Sequence, residues 1–69
     1  MNYYEKMETN LKIQKLEEDK NVYSEELYGL ESRFETLDEK EMRRITELEK
    51  LIRELQVEIK SLKKSIHAL

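Results

Sequence analysis

Leu37-Asp38-Glu39-Lys40-Glu41-Met42-Arg43-Arg44-Ile45 joins two segments of regular apolar spacing, and whether the chain is one helix or two depends on it. Apolar residues on both sides of it follow a heptad, and the steps from Leu37 to Glu41 and from Glu41 to Ile45 are each four residues. Two successive steps of four make a stutter, which relaxes a supercoil locally and leaves the helix unbroken. The spacing therefore predicts a helix running through residues 37–45, with Glu41 as a charged core position where two frames meet.

Downstream, Ile45, Leu48, Ile52, Leu55, Ile59, Leu62, Ile66 and Leu69 are separated by alternating steps of three and four. A repeat of 3.5 stays on one face of a helix only when helices wrap around each other, so this is the pattern of a left-handed coiled coil. Ile fills every first core position (a) and Leu every second one (d), the arrangement that favours two parallel strands. Upstream, Ile13, Leu16, Lys20, Tyr23, Leu27, Leu30, Phe34 and Leu37 follow the same steps in an offset frame. Lys20 and, further back, Thr9 and Lys6 are polar core positions, and a frame through Tyr4, Met7 and Leu11 fits the first dozen residues equally well.

Flanking charges agree with parallel pairing, in which a g residue meets the e residue five positions further along the partner. Arg44 would meet Glu49, Glu58 would meet Lys63, Lys12 would meet Glu17 and Arg33 would meet Asp38, all attractive. Glu26 against Glu31 would repel. Gly29 lies at an outward c position, so the reading treats it as a local weakness of the helix and not as the pivot of a hairpin. Asn2 with Glu5 three residues on has the form of an N-cap with its reciprocal glutamate, while Lys60, Lys63, Lys64 and His67 are cations in the last turns. The repeat runs to Leu69 without a stop signal, as in a segment of a longer rod.

Composition narrows the function classes. The chain has 69 residues, 42% of them charged, with one glycine, no proline and no cysteine. A chain this short seldom builds an independent core without a disulfide, a metal or a partner. Cysteine is absent and His67 is the only histidine, which leaves oligomerisation, since a structural metal site needs about four ligands. Residues 1–37 carry 5 basic and 9 acidic side chains and residues 38–69 carry 8 and 7, so neither part is a polybasic arm for nucleic acid or an anionic membrane surface. No stretch is apolar enough to span a membrane, and the N-terminal residues lack the order of a signal peptide, which points to an intracellular, cytoplasmic or cytoskeleton-associated setting. His67 sits at an outward position, and Ser24, Ser32, Ser61 and Ser65 have no base arranged beside them, so no catalytic group is expected.

The stretch Ile45–Leu69 resembles the leucine zipper of basic-zipper transcription factors through its heptad stripe. That family places a basic, DNA-reading helix immediately before the zipper. Here the preceding residues 35–42 are mostly acidic, and the resemblance therefore implies dimerisation without DNA reading.

The sequence thus predicts an all-α chain: one long helix of about 100 Å, at 1.5 Å per residue, paired in a parallel two-stranded coiled coil. Residues 1–40 form its weaker, acidic part and residues 41–69 its regular Ile/Leu part. The expected function is homodimerisation within a scaffold, cytoskeletal, motor or tethering protein; the alternatives are a partner-binding coil for an adaptor or small GTPase, and a zipper lacking its basic region. No enzyme activity, cofactor or metal is expected. Leu51, Val57, Tyr28 and Met42 are apolar residues off the core that favour a protein partner.

Overall fold

Asn2 starts the first helix as the sequence predicts. Its Oδ1 accepts from the Glu5 backbone N–H at 2.9 Å, and the Glu5 carboxylate accepts from the Asn2 N–H at 3.4 Å. Each satisfies a donor that the first helical turn leaves free. From there α1 runs over Tyr3–Glu31, a short 3-10 turn follows at Phe34–Thr36, and α2 runs over Glu39–His67. The structure, a computed structural model, describes residues 2–67.

α2 packs antiparallel against α1 along its length. This overturns the expectation of one continuous helix in a parallel two-stranded coil: the chain is an all-α helical hairpin. The molecule measures 51 × 15 × 14 Å, half the length of the straight rod that 69 helical residues would make at 1.5 Å each.

The physical cause lies in residues 32–41, the region read as a stutter. Asp38 is the N-cap of α2: its carboxylate accepts from the Glu41 N–H at 2.8 Å, the Glu41 carboxylate accepts from the Asp38 N–H at 3.3 Å, and the Asp38 carbonyl accepts from the Met42 N–H at 3.0 Å. Asp38 and Glu41 are thus a capping box, and a residue with its side chain committed to capping starts a helix and does not continue one. Glu41 is consequently no buried core charge. Its second oxygen pairs with Arg33 at 3.0 Å, tying the start of the turn to the start of α2.

α1 ends without a glycine in the left-handed conformation. Ser32, its C-cap, keeps right-handed helical angles, and Arg33 and Leu37 turn the chain with φ/ψ of −113/26° and −73/138°. No described residue has positive φ. The carbonyls freed at the helix end are met by hydroxyls and backbone instead: Ser32 Oγ donates to Gly29 O at 2.8 Å, Thr36 Oγ1 to Arg33 O at 3.0 Å, and the Ser32 N–H to Tyr28 O at 2.9 Å. Gly29 itself stays inside α1, with nothing within 4 Å of where a Cβ would stand.

The buried core consists of Ile13 and Leu30 from α1 and Leu48 and Ile59 from α2, with Leu48 fully enclosed at 0% exposure. Leu16, Tyr23, Leu27, Leu37, Ile45, Ile52, Leu55, Leu62 and Ile66 are half-buried. A pair of helices shields only the line between them, so most of the seam keeps an edge toward water. Phe34, assigned to the same stripe by its spacing, lies in the 3-10 turn with 64% of its surface exposed. Leu69 is outside the described residues.

Candidate interaction surface

The hairpin can interact with other molecules through two kinds of surface, its seam and its outward faces, and ion pairs fix the first. Arg44 donates from Nε and Nη2 to both oxygens of Glu26, at 2.6 and 3.0 Å, and from Nη1 to Glu47 at 2.7 Å. Lys12 lies 3.9 Å from Glu58 on the same flank, and Lys63 lies 2.9 Å from Glu17 on the other. In heptad letters the first two are g with g and the third is e with e. Reversing one strand brings like-lettered flanks together, which is why the pattern differs from the g-to-e rule of a parallel pair.

These pairs set the register. Those on the g flank are centred in sequence on residue 35 and the one on the e flank on residue 40, so the seam between them is centred between Leu37 and Asp38. Every a position then lies level with a d position: Thr9 with Ile66, Ile13 with Leu62, Leu16 with Ile59, Lys20 with Leu55, Tyr23 with Ile52, Leu27 with Leu48, and Leu30 with Ile45. The two frames read from the sequence interlock about the turn. Lys20 is half-buried in this seam, where its aliphatic stem can cover Leu55 while the ammonium reaches water.

Of the four downstream residues expected to form interhelical pairs, Arg44, Glu58 and Lys63 do so with Glu26, Lys12 and Glu17 in place of the expected partners. Glu49 is exposed and forms none of the ion pairs among the described residues. Charge attraction had not singled out Glu26, which repels Glu31 when strands run parallel and finds Arg44 when they run antiparallel. The bidentate bond to Arg44 holds the Glu26 carboxyl below its ordinary value of 4.5, against a smaller opposing effect of desolvation, and it raises the Arg44 guanidinium in turn. On α1, the hydrogen bond that Lys15 Nζ donates to the Asp19 carboxylate at 3.0 Å raises the Lys15 ammonium.

The outward face of α1 carries what the seam leaves over. Tyr3, Tyr4, Met7 and Leu11 follow one another at helical spacing near the open end, with exposures of 75, 70, 44 and 59%. Tyr3 and Tyr4 meet edge to face, ring centroids 5.8 Å apart. Tyr4, Met7 and Leu11 are the residues of the second frame that the sequence allowed for its first dozen positions. On the hairpin they are exposed, whereas the seam frame runs through Thr9 and Ile13. Val22 and Tyr28 are exposed further along α1, and Met42 and Val57 on α2.

The remaining chemistry is sparse. Among the described residues no group of three His, Cys, Asp or Glu side chains could hold a metal ion, and no helix is long and apolar enough to cross a membrane. His67 is exposed at the end of α2. The hollow lined by Glu31, Ser32, Arg33, Phe34, Glu35 and Thr36 is an open dent beside the turn. Comparison with known proteins finds no family model, no curated protein and no solved structure that matches the chain.

Proposed function

We propose that the chain is a non-enzymatic protein-interaction module, a helical hairpin that presents the outward face of α1 to an apolar groove on another protein. The observation that carries this reading is the row Tyr3, Tyr4, Met7 and Leu11. An exposed row at i, i+3/i+4 and i+7/i+8 is the anchor pattern of a helix that docks in a groove, and large amphipathic rings contribute area at little cost in side-chain entropy. The interleaved Glu5, Lys6, Glu8 and Lys12 are of mixed sign, which suits a charged rim around an apolar line. A parallel homodimer of continuous helices would require the heptad seam to be free, and in the hairpin α1 and α2 occupy it for each other.

A photo-reactive residue placed at Leu11, with a second version placed at Lys50 on the far helix, tests the reading in cells that make the protein. Adducts with a discrete partner from Leu11, lost when Met7→Glu and Tyr4→Glu are added and absent from Lys50, are the expected result. Equal labelling from both positions would remove the case for a docking face. Circular dichroism of the substituted chain serves as the control, since these exposed positions leave the seam untouched.

A further inference from the structure

We propose that the hairpin exchanges helices with a second copy of itself, giving an antiparallel dimer in which α1 of each chain lies on α2 of the other. The proposal rests on the seam and the connector and is independent of the outward face of α1.

The first observation is the symmetry of the register. Each layer pairs one residue of α1 with one of α2 about a centre between Leu37 and Asp38. A two-fold axis through that centre relates two chains so that every layer made within a chain can be made between chains, with the same partners. Leu27 then meets Leu48 of the second copy, and Arg44 meets Glu26 of the second copy. Exchange of identical contacts is a low-cost route to a closed dimer, because the interface is already optimised within the monomer.

The second observation is the connector. A tight turn that is locked shut commonly holds a glycine or another residue at positive φ. This one holds neither: Ser32 is helical, Phe34–Thr36 form a 3-10 turn, and the chain changes direction through Arg33 and Leu37 at negative φ. Those two residues reach a straighter path by ordinary rotations open to any L residue. What holds the turn closed is the Asp38 and Glu41 cap, the Arg33 to Glu41 ion pair and the hydroxyl bonds of Ser32 and Thr36, all of them exposed.

The third observation is Phe34. The hairpin leaves it outside the core, yet the spacing Leu27, Leu30, Phe34, Leu37 places it on the seam stripe. Straightening the connector brings its ring back toward that stripe, so opening gains apolar cover where it loses cap bonds.

Light scattering on the full chain across a rising concentration series, paired with cross-linking by a short bifunctional thiol reagent between two single-cysteine preparations unfolded together and refolded, tests the exchange. One preparation carries Lys12→Cys and the other Glu58→Cys, positions that face each other across the seam in an exposed pair. The expected result is a mass that rises from one chain to two, with the mixed cross-link between copies appearing over the same range. Leu37→Ala with Asp38→Ala should lower the concentration at which this happens by about thirtyfold, because each of the two chains that open has an N-cap of ordinary strength less to give up. A single-chain mass throughout the series for the unsubstituted protein overturns the proposal. A doubled mass without the mixed cross-link also overturns it, because dimers packed side by side keep residue 12 against residue 58 of the same chain, and so does a mass above two chains.

Discussion

The two ends of the hairpin are held by different means. At the turn, two caps, one cross-turn ion pair and two hydroxyl bonds define the path of the chain, and the layers next to it include the buried Leu30 and Leu48. At the open end the N-cap of α1 is satisfied, but the layer there is Thr9 level with Ile66, and the Thr9 hydroxyl is spent on Glu5 O at 2.8 Å. The pairing of the helices is therefore specified at one end and tolerated at the other. Local opening should start where the layers are polar and half-covered.

The largest expected effect separates the ends directly. Leu48→Ala should destabilise the hairpin by about 2–5 kcal/mol, the range for truncating an enclosed leucine, whereas Ile66→Ala at the open end should cost less than half as much. Thermal unfolding of the two variants measures the difference, and equal losses would show the ends to be equivalent. Next comes Glu41→Leu. Taken as a core position in a stutter, Glu41 would be improved by leucine, so the melting temperature would rise. As the partner in a capping box and the acceptor of Arg33, it should lose about 0.5–2 kcal/mol on replacement.

Gly29→Ala probes the last turn of α1 and should stabilise the chain by about 0.5–1 kcal/mol, because the glycine is helical and its missing Cβ has open space. A fall in melting temperature would mean that the turn does need glycine there. The smallest effect is on acid stability. The Glu26 carboxyl titrates below 4.5 in the folded hairpin, so its contribution is complete above that pH and is lost as pH falls through the folded value. Melting temperatures of the parent chain and of Glu26→Gln, followed from neutral to acid pH, should converge at the acid end. A gap that is constant with pH would detach the bond to Arg44 from stability.

Much of the seam was legible because a heptad records which face is apolar, whatever lies against it. Both frames, from Ile13 to Leu30 and from Ile45 to Ile66, are the frames of the hairpin. Orientation was not legible from most charges, since Arg44 and Glu58 find attractive partners in either direction. Glu26 alone spoke for reversal, and a single repulsive pair is a weak signal among exposed charges. The break was hidden for a different reason. Asp38 followed three residues later by Glu41 is a capping signature, yet steps of four on either side of Glu41 are equally the signature of a stutter, and only the turn geometry separates the two. Gly29, read as a local weakness and not as a pivot, does stay inside α1, and the true pivot needs no positive φ and so leaves no glycine to find. Of the outward row, Tyr4, Met7 and Leu11 were visible as a rival frame, but with no second helix placed it could not be told from the seam.

The turn also orders events in time. With the centre between Leu37 and Asp38, the layer of Leu30 and Ile45 closes a loop of 15 residues, whereas the layer of Thr9 and Ile66 closes one of 57. The entropy of closure grows as the logarithm of loop length, so forming the far layer first would cost about 1 kcal/mol more than forming the near one. The Asp38 cap and the Leu30 layer are accordingly the nucleus, and the rest of the seam closes from there like a zipper, each layer shortening the search for the next. Substitutions at Asp38 or Glu41 should then slow folding, while those at Leu62 or Ile66 leave the folding rate alone and quicken unfolding.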